Sequence, residues 1–187
     1  MHKKNLYKFC FVSDYDRDYI KNLDKNVNII FRNYVKPYEI NKLKELKDFC
    51  RSINKKVFLA NNIKLALTLK FDGVYIPSFN KKINLNINKS VIDFTIMGSA
   101  HNIREIKIKE NQGVDIIFIA PLFFVKKSKT FLNVPKFNIL TFVTNKKIIA
   151  LGGINNQNIK KLNIVRANGF AGISYFQKKT APKKGAA

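Results

Sequence analysis

Two adjacent glycines, Gly152 and Gly153, stand directly after an apolar run at residues 148–151 and before a polar, amphipathic segment. Glycine has no side chain, so backbone N–H groups in such a turn can approach an anion, and the N-terminus of a following helix adds the positive end of its dipole. The chain then turns back into a second apolar run that ends at Ser174. This pattern of strand, glycine turn, helix and strand predicts a phosphate-binding turn. It is equally typical of a plain tight turn after a buried strand.

Apolar runs alternate with amphipathic stretches along the rest of the chain. In the amphipathic stretch that follows Pro37, apolar residues such as Leu43, Leu46 and Cys50 keep a helical spacing of three to four. Further helices are predicted at 19–23, 63–69 and 103–109. The apolar runs predict strands at 7–13, 27–31, 57–59, 73–76, 94–97, 115–120, 148–151 and 169–174.

Strands that are apolar throughout and separated by amphipathic helices indicate a parallel sheet covered by helices. Eight of them within 187 residues predict a small (βα)8 TIM barrel, with a doubly wound open sheet as the alternative. In both architectures ligands bind outside the carboxyl ends of the strands, and in barrels phosphate favours the loops after strands seven and eight. Since Gly152-Gly153 follows strand seven, the predicted fold favours the phosphate-binding interpretation.

The composition is strongly basic, with 35 Lys and Arg against 12 Asp and Glu and a formal net charge of +23. Lysine-rich surfaces gather nucleic acid by counterion release. Here, however, the lysines are scattered over nearly every predicted helix and loop, without a zinc finger, helix-turn-helix or RNP pattern. We therefore expect no dedicated nucleic-acid function, and a charge that serves solubility and the attraction of anionic ligands.

Membrane, export and metal-cluster signals are weak. The longest apolar stretch, 114–125, contains Asp115 and Pro121 and is shorter than the roughly 20 residues of a membrane helix. The N-terminal apolar run is too short for a signal peptide. Cys10 and Cys50 stand alone, so neither a zinc site nor a disulfide framework is indicated. We expect a cytoplasmic protein without a membrane partner.

Several motifs occur in a collinear order that resembles the thiamine-phosphate synthase and TenI family, from about residue 8 to residue 176. They are Phe58-Leu59-Ala60-Asn61-Asn62 to Leu67, Asp72-Gly73-Val74-Tyr75, Met97-Gly98-Ser99-Ala100-His101-Asn102, Ala120-Pro121-Leu122-Phe123, Leu151-Gly152-Gly153-Ile154 and Gly172-Ile173-Ser174. The resemblance implies a barrel that binds thiazole phosphate at the last two strand ends. It also implies thiamine biosynthesis, in which a synthase joins this thiazole to hydroxymethylpyrimidine pyrophosphate and expels pyrophosphate with Mg2+.

The resemblance further assigns roles to individual residues. Gly152, Gly153 and Ser174 would hold the thiazole phosphate. Arg32 matches an arginine that contacts the pyrimidine pyrophosphate, and a guanidinium at a strand end suits bidentate phosphate binding. Ser99 matches a serine beside the reacting centre that can stabilise the departing pyrophosphate. The alternatives are a surface ion-pair role for Arg32 and a merely small residue at Ser99.

Two family features are altered in this chain. The positions of the family's magnesium carboxylates align with Asn61 and Asn80, and Tyr34 replaces a lysine. An amide oxygen can coordinate Mg2+, but losing both carboxylates removes most of the attraction, so we expect a degraded magnesium site. Lys127 or Lys129, in the loop after strand six, are candidates for contacting pyrophosphate.

Three functions stay open on these residues. The first is a synthase-like transferase in which Arg32, Ser99 and lysines replace magnesium electrostatically. The second is a TenI-like thiazole tautomerase with His101 as acid and base, because imidazole suits proton transfer near neutral pH. A plain hydrogen-bonding histidine fits the same position. The third is a non-catalytic barrel that binds a phosphorylated ligand.

A single barrel domain is predicted over residues 1–176, followed by a basic, disordered tail over 177–187. After Phe176 no amphipathic stretch follows for an eighth helix, so that helix is expected to be short or missing. The barrel flank formed by strands eight and one would then be exposed. A partner subunit could cover it, which leaves a homodimer open.

Overall fold

Eight parallel strands close into a barrel in sequence order, with β8 paired to β1. The structure is a computed structural model that describes residues 6–83, 93–126, 128 and 130–180. The strands are β1 (Tyr7–Val12), β2 (Val27–Phe31), β3 (Val57–Ala60), β4 (Gly73–Ile76), β5 (Thr95–Ala100), β6 (Ile116–Ile119), β7 (Lys147–Leu151) and β8 (Gly169–Gly172). The TIM barrel prediction is confirmed and the open sheet is excluded.

Helices cover the outside of the barrel. They are α1 (Arg17–Asn22), α2 (Ile40–Ser52), α3 (Ile63–Thr68), α4 (Ile103–Asn111), α5 (Asn133–Thr141), α6 (Ser174–Thr180) and a 3₁₀ helix (Ile159–Ile164). None of those in the described part of the chain has the length and apolar content of a membrane span. The sequence pattern did not predict α5, whose Pro135 lies in the first turn, where proline is tolerated.

Three helices that follow strands begin at a side-chain cap. Asp16, Asn62 and Asn102 each accept a hydrogen bond from the backbone N–H three residues later, at 2.9, 3.0 and 2.9 Å. Such caps satisfy one of the N–H groups that a helix start leaves without a partner. They also keep the turns after β1, β3 and β5 short, which fixes the strand ends relative to one another.

The barrel interior is filled by side chains from alternate strand positions. Near the carboxyl end of the barrel, the rings of Phe11, Tyr75 and Phe118 meet edge to face, with centroids 5.2, 5.3 and 6.3 Å apart. Such aromatic pairs add about 0.5–1.5 kcal/mol each beyond their buried area. We call the rings of Phe11, Tyr75 and Phe118 the aromatic floor. They fill this end of the barrel interior, so a ligand of the barrel binds beyond them, at the loops.

The eighth helix is short, as predicted, but it begins earlier than expected. α6 starts at Ser174, so the predicted domain boundary at residue 176 falls inside it, and residues 177–180 are helical rather than a disordered tail. Residues 181–187 lie outside the described part. Phe176 stacks on Phe170 at 5.8 Å and is 1% exposed. Since α6 packs on β8, this part of the flank is covered, whereas Tyr7 and Ile173 beside it are 43% and 39% exposed.

Candidate functional site

The strand periodicity brings Arg32 and Ser99 to the mouth of the barrel. Arg32 lies two residues after Ile30, an interior residue, and its guanidinium carbon is 4.5 Å from the ring centroid of Phe11. Ser99 is 5% exposed, lies inside β5 and forms a side-chain hydrogen bond with the interior residue Tyr75. Both side chains therefore meet the aromatic floor from above.

Arg32 lines an open pocket of about 430 Å³, a volume within the range of small-molecule sites. The other lining residues come from the end of β1, the start of α1 and the start of α6: Phe11, Val12, Ser13, Asp14, Asp16, Tyr19, Ile173 and Gln177. In the described part of the chain no carboxylate forms an ion pair with Arg32. Its guanidinium is therefore not paired with a carboxylate there, although Asp14 and Asp16 line the same pocket.

His101 is held in one tautomer by its two neighbours. Its Nδ1 lies 2.8 Å from the carbonyl oxygen of Ala120, which can only accept, so Nδ1 carries the proton. In the neutral ring Nε2 is then the acceptor, and it lies 3.1 Å from the hydroxyl oxygen of Ser78. The backbone N–H of His101 donates to Glu105 at 2.8 Å. This arrangement leaves Nε2 as the atom able to take up a proton.

Packing against the β6–α5 loop explains why both residues of the double-glycine turn are glycine. Gly152 and Gly153 have φ of +95° and +71°, and an added Cβ would lie 2.7 Å from Pro121 and 2.5 Å from the carbonyl oxygen of Phe124. The turn is also hydrogen-bonded to the β6–α5 loop, where Phe123 N–H donates to Gly152 O at 3.0 Å. The tight-turn interpretation therefore explains both glycines without a ligand.

The predicted helix dipole behind this turn is not present. After Gly153 the chain forms a 3₁₀ helix that begins at Ile159, not an amphipathic α-helix. The reason is local: the side chains of Asn155 and Asn158 accept from Gln157 N–H and Asn155 N–H, both at 2.9 Å, and such bonds compete with helical ones. The backbone N–H groups of Gly152 and Gly153 donate to no partner among the described residues.

Ser174 is exposed and begins α6 instead of ending β8, which stops at Gly172. The pairing of Leu151 with Ala171 puts the ends of β7 and β8 side by side. Gly153 and Ser174 therefore follow adjacent strands. Lys127 and Lys129, the candidate pyrophosphate contacts, lie outside the described residues.

Comparison with known proteins shows the family of this chain. A family model described as thiamine monophosphate synthase, TMP-TENI, matches residues 29–176. The chain belongs to this family. The resemblance carried by the collinear sequence motifs is thus confirmed.

Individual members of the thiamine monophosphate synthase family differ in how much of them this chain covers. A thiamine-phosphate synthase of Prochlorococcus marinus is 31% identical over 125 residues, covering 65% of this chain and 36% of that protein. A second, from Methanococcus vannielii, is 27% identical over 119 residues, covering 63% of this chain and 57% of that protein. The chain thus spans less than two thirds of these curated relatives. A putative thiamine-phosphate synthase 2 of Aquifex aeolicus is 26% identical over 190 residues, covering 94% of this chain and 99% of that protein.

Among solved structures, a thiamine phosphate pyrophosphorylase from Pyrococcus furiosus superposes with a TM-score of 0.72 at 16% identity. The match covers 95% of this chain and 93% of that one. At this identity the likeness is one of fold.

Magnesium, which the family implies, does not fit the residues present. The two asparagines at the expected carboxylate positions contact each other, because Asn80 Nδ2 donates to Asn61 Oδ1 at 2.8 Å. The amide pair satisfies that oxygen without a cation, whereas Mg2+ in phosphate sites is usually bound through one or two carboxylates. Nowhere in the described ranges do three or more His, Cys, Asp or Glu cluster. The loss of magnesium binding stays a prediction.

Sequence reasoning missed three residues that this region depends on. Ser78 contacts His101, Tyr75 contacts Ser99, and Lys109 is buried beneath the β4–β5 loop. One signal could have found Lys109: it follows the buried residue Ile106 by three positions, which places it on the inner face of α4. The contact with Ser78 joins distant segments and left no trace in the local pattern.

Proposed function

We propose that this chain acts in thiamine biosynthesis as a synthase-like transferase that joins thiazole phosphate to hydroxymethylpyrimidine pyrophosphate. The carrying observation is the Arg32 guanidinium, which lies over the aromatic floor beside an open pocket without an ion-pair partner in the described part of the chain. Family membership supports the proposal. The proposed partners are phosphorylated small molecules, and two free, buried cysteines are compatible with the cytosol.

In the proposed reaction the bond between the pyrimidine methylene carbon and the pyrophosphate oxygen breaks, and negative charge collects on the departing pyrophosphate. Arg32 would bind that charge bidentately and Ser99 would donate to it, with Lys127 or Lys129 as further cations. The thiazole then bonds to the methylene carbon. Its phosphate would be held by the N–H groups of Gly152 and Gly153 and by Ser174. This is supported by the N–H groups of the two glycines, which have no partner among the described residues.

Thiamine phosphate formation tests the proposal directly. Purified protein is incubated with both substrates, with and without Mg2+, and the product is quantified. Arg32→Met should lower the rate by about 100-fold or more, as expected for loss of a charge that stabilises a developing anion. The matched control is Arg166→Met, because the Arg166 guanidinium also lies over a phenylalanine ring, Phe142, at 4.2 Å, but is associated with the opposite end of the barrel. Absence of product from the unaltered protein in both conditions would refute the synthase proposal.

A TenI-like thiazole tautomerase is the second candidate, and the fixed tautomer of His101 favours it. Because Nδ1 donates to Ala120 O, the lone pair on Nε2 faces the Ser78 hydroxyl, and Nε2 is the ring atom that would accept and return a proton. The test follows deuterium uptake by thiazole phosphate in D2O by NMR. His101→Asn should abolish uptake, and Ser78→Ala should reduce it. Uptake that is unchanged in His101→Asn contradicts this candidate.

A non-catalytic phosphate-binding barrel is the remaining alternative. It predicts that the protein binds thiazole phosphate but neither forms thiamine phosphate nor catalyses deuterium uptake. Ser174→Asp is the suitable variant, because Ser174 is exposed and the new carboxylate would repel phosphate. Substitution of Gly153 is unsuitable, since any side chain there collides with the backbone of Phe123 and Phe124.

A further inference from the structure

The β4–β5 loop carries two contacts of the candidate site. From this loop Ser78 reaches the His101 ring at 3.1 Å and Asn80 reaches Asn61 at 2.8 Å. The described residues of the loop, 77–83 and 93–94, contain no helix. The position of Ser78 and Asn80 must therefore be set by something other than regular secondary structure.

A buried lysine lies directly beneath this loop. Lys109 of α4 is 0% exposed, and its ammonium donates to three oxygens at 2.8 Å: Pro77 O, Asn80 O and the side-chain oxygen of Gln112. An ammonium has three N–H donors and no acceptor, so these bonds use its full capacity. Two of the three acceptors are backbone carbonyls of the loop.

Gln112 completes the arrangement from the end of α4. It is 4% exposed, and its amide nitrogen donates to Asn80 O at 2.9 Å and to Lys82 O at 2.8 Å. Together with Lys109 it binds the carbonyls of three loop residues, Pro77, Asn80 and Lys82. The carbonyl of Asn80 accepts from both side chains, so the residue that contacts Asn61 is the most firmly bound of the three.

Gly98 leaves space for the Lys109 side chain, but burial of its ammonium is unfavourable. A Cβ on Gly98 of β5 would lie 2.7 Å from Lys109 Cδ, so the lysine stem fills space that only glycine leaves. Burial of an ammonium is unfavourable, and it lowers the pKa of Lys109 to about 8 against the opposing effect of Glu105. Packing alone would be served better by an apolar side chain. The charged group is thus explained by the three carbonyl-directed hydrogen bonds.

We propose that Lys109 and Gln112 are positioning residues of the candidate site, which hold the β4–β5 loop from beneath so that Ser78 meets His101 and Asn80 meets Asn61. The effect on turnover rests on the proposed function. The effect on the loop does not, because the loop geometry is measurable without substrate.

The test compares Lys109→Met with Lys55→Met in the full chain. Lys55 is a matched control: it is 4% exposed and its ammonium donates to backbone carbonyls, those of Leu23 and Asp24, but at the amino-terminal end of the barrel. Backbone hydrogen exchange is measured for residues 78–83, where Asn80 N–H and Lys82 N–H are hydrogen-bonded within the loop. The His101 ring nitrogens are followed by NMR, with Ser78→Ala as the reference for a lost contact.

Lys109→Met should raise exchange at Asn80 and Lys82 by about tenfold or more, the factor expected for one lost hydrogen bond to a charged group. It should also move the His101 Nε2 signal towards that of Ser78→Ala. Lys55→Met should do neither. If Lys109→Met leaves both readouts at the values of the unaltered protein, the inference is wrong.

Gln112→Glu covers the case in which Lys109→Met does not fold. This variant keeps an acceptor for Lys109 and removes the two donors to the loop, so it should raise exchange at the same amides. Unchanged exchange in Gln112→Glu would also overturn the inference. With both substrates present, the positioning role predicts a lower kcat for these variants. If the unaltered protein forms no thiamine phosphate, the proposed function is wrong. The exchange data still test whether Lys109 and Gln112 hold the β4–β5 loop.

Discussion

Lys109 and Arg32 are both cations near the candidate site, but their surroundings give them different properties. Arg32 lies at the barrel mouth on an aromatic ring, where its charge can meet a ligand. Lys109 is fully buried and its three donors are taken by oxygens. The position of Arg32 was predictable because it follows a strand end. The burial of Lys109 depends on the space beside Gly98, which no local pattern reveals.

The depressed pKa of Lys109 predicts a pH-dependent stability. Burial lowers its pKa from 10.5 to about 8, so between these values the native chain has released a proton that the unfolded chain still binds. The free energy of unfolding should therefore rise with pH, by about 2 kcal/mol from pH 7 to pH 9.5 for this group alone. Lys109→Met should lack that increment. Urea unfolding of both proteins at the two pH values measures this difference. An equal change in the free energy of unfolding between the two pH values in both proteins would contradict the prediction.

The Asn61–Asn80 amide pair predicts how the site responds to magnesium. In the double variant Asn61→Asp, Asn80→Asp, two carboxylates replace a hydrogen-bonded pair at 2.8 Å, so they repel each other. We expect lower stability without metal, and recovery of about 1–3 kcal/mol at saturating Mg2+ through binding to the native state. The unaltered chain should show no shift in Tm with Mg2+. If the Tm of the double variant is the same with and without Mg2+, the prediction is wrong.

At the scale of elements, the turn after β7 shows why a motif and its structural cause can differ. The sequence predicted a phosphate-binding glycine turn backed by a helix, but the glycines are required by contact with the β6–α5 loop, and the helix behind them is a 3₁₀ helix. The strand and the turn were predictable from local pattern. The loop contact joins residues about thirty positions apart and was not.

Gly153→Ala tests that loop contact. Its φ of +71° is nearly that of Gly113, at +73°, but an added Cβ meets Phe124 O at 2.5 Å at Gly153 and nothing within 4 Å at Gly113. Gly113→Ala should cost about 1–2 kcal/mol, the strain of a left-handed residue alone. Gly153→Ala should cost clearly more because it adds a collision with backbone. Equal losses in chemical denaturation would show that the close approach is not present.

At the scale of the whole molecule, the pairing of β8 with β1 closes the barrel, and α6 covers the outside of β8. The sequence suggested an exposed flank beside β8, yet the short helix buries Phe176 against Phe170 there. α6 has seven residues, and its Phe176 stacks on Phe170 of β8. The oligomeric state stays a prediction.

Phe176→Ala should lower the free energy of unfolding by about 3–5 kcal/mol, the usual loss for a buried phenylalanine. The matched control is Phe142→Ala, because Phe142 is 69% exposed and its removal should cost little. Thermal and urea unfolding give both values. If the two variants are equally stable, α6 does not pack on β8 in solution.

The sequence by itself determined the order of strands, the barrel, the family and the strand-end position of Arg32, because each depends on local periodicity or on a collinear motif. Only the tertiary structure decided that Asn61 meets Asn80, that Ser78 meets His101 and that Lys109 lies beneath their loop. These contacts join segments that are distant along the chain. They are set by how strand ends and helices pack around the barrel, a property of the whole arrangement that a local pattern does not contain.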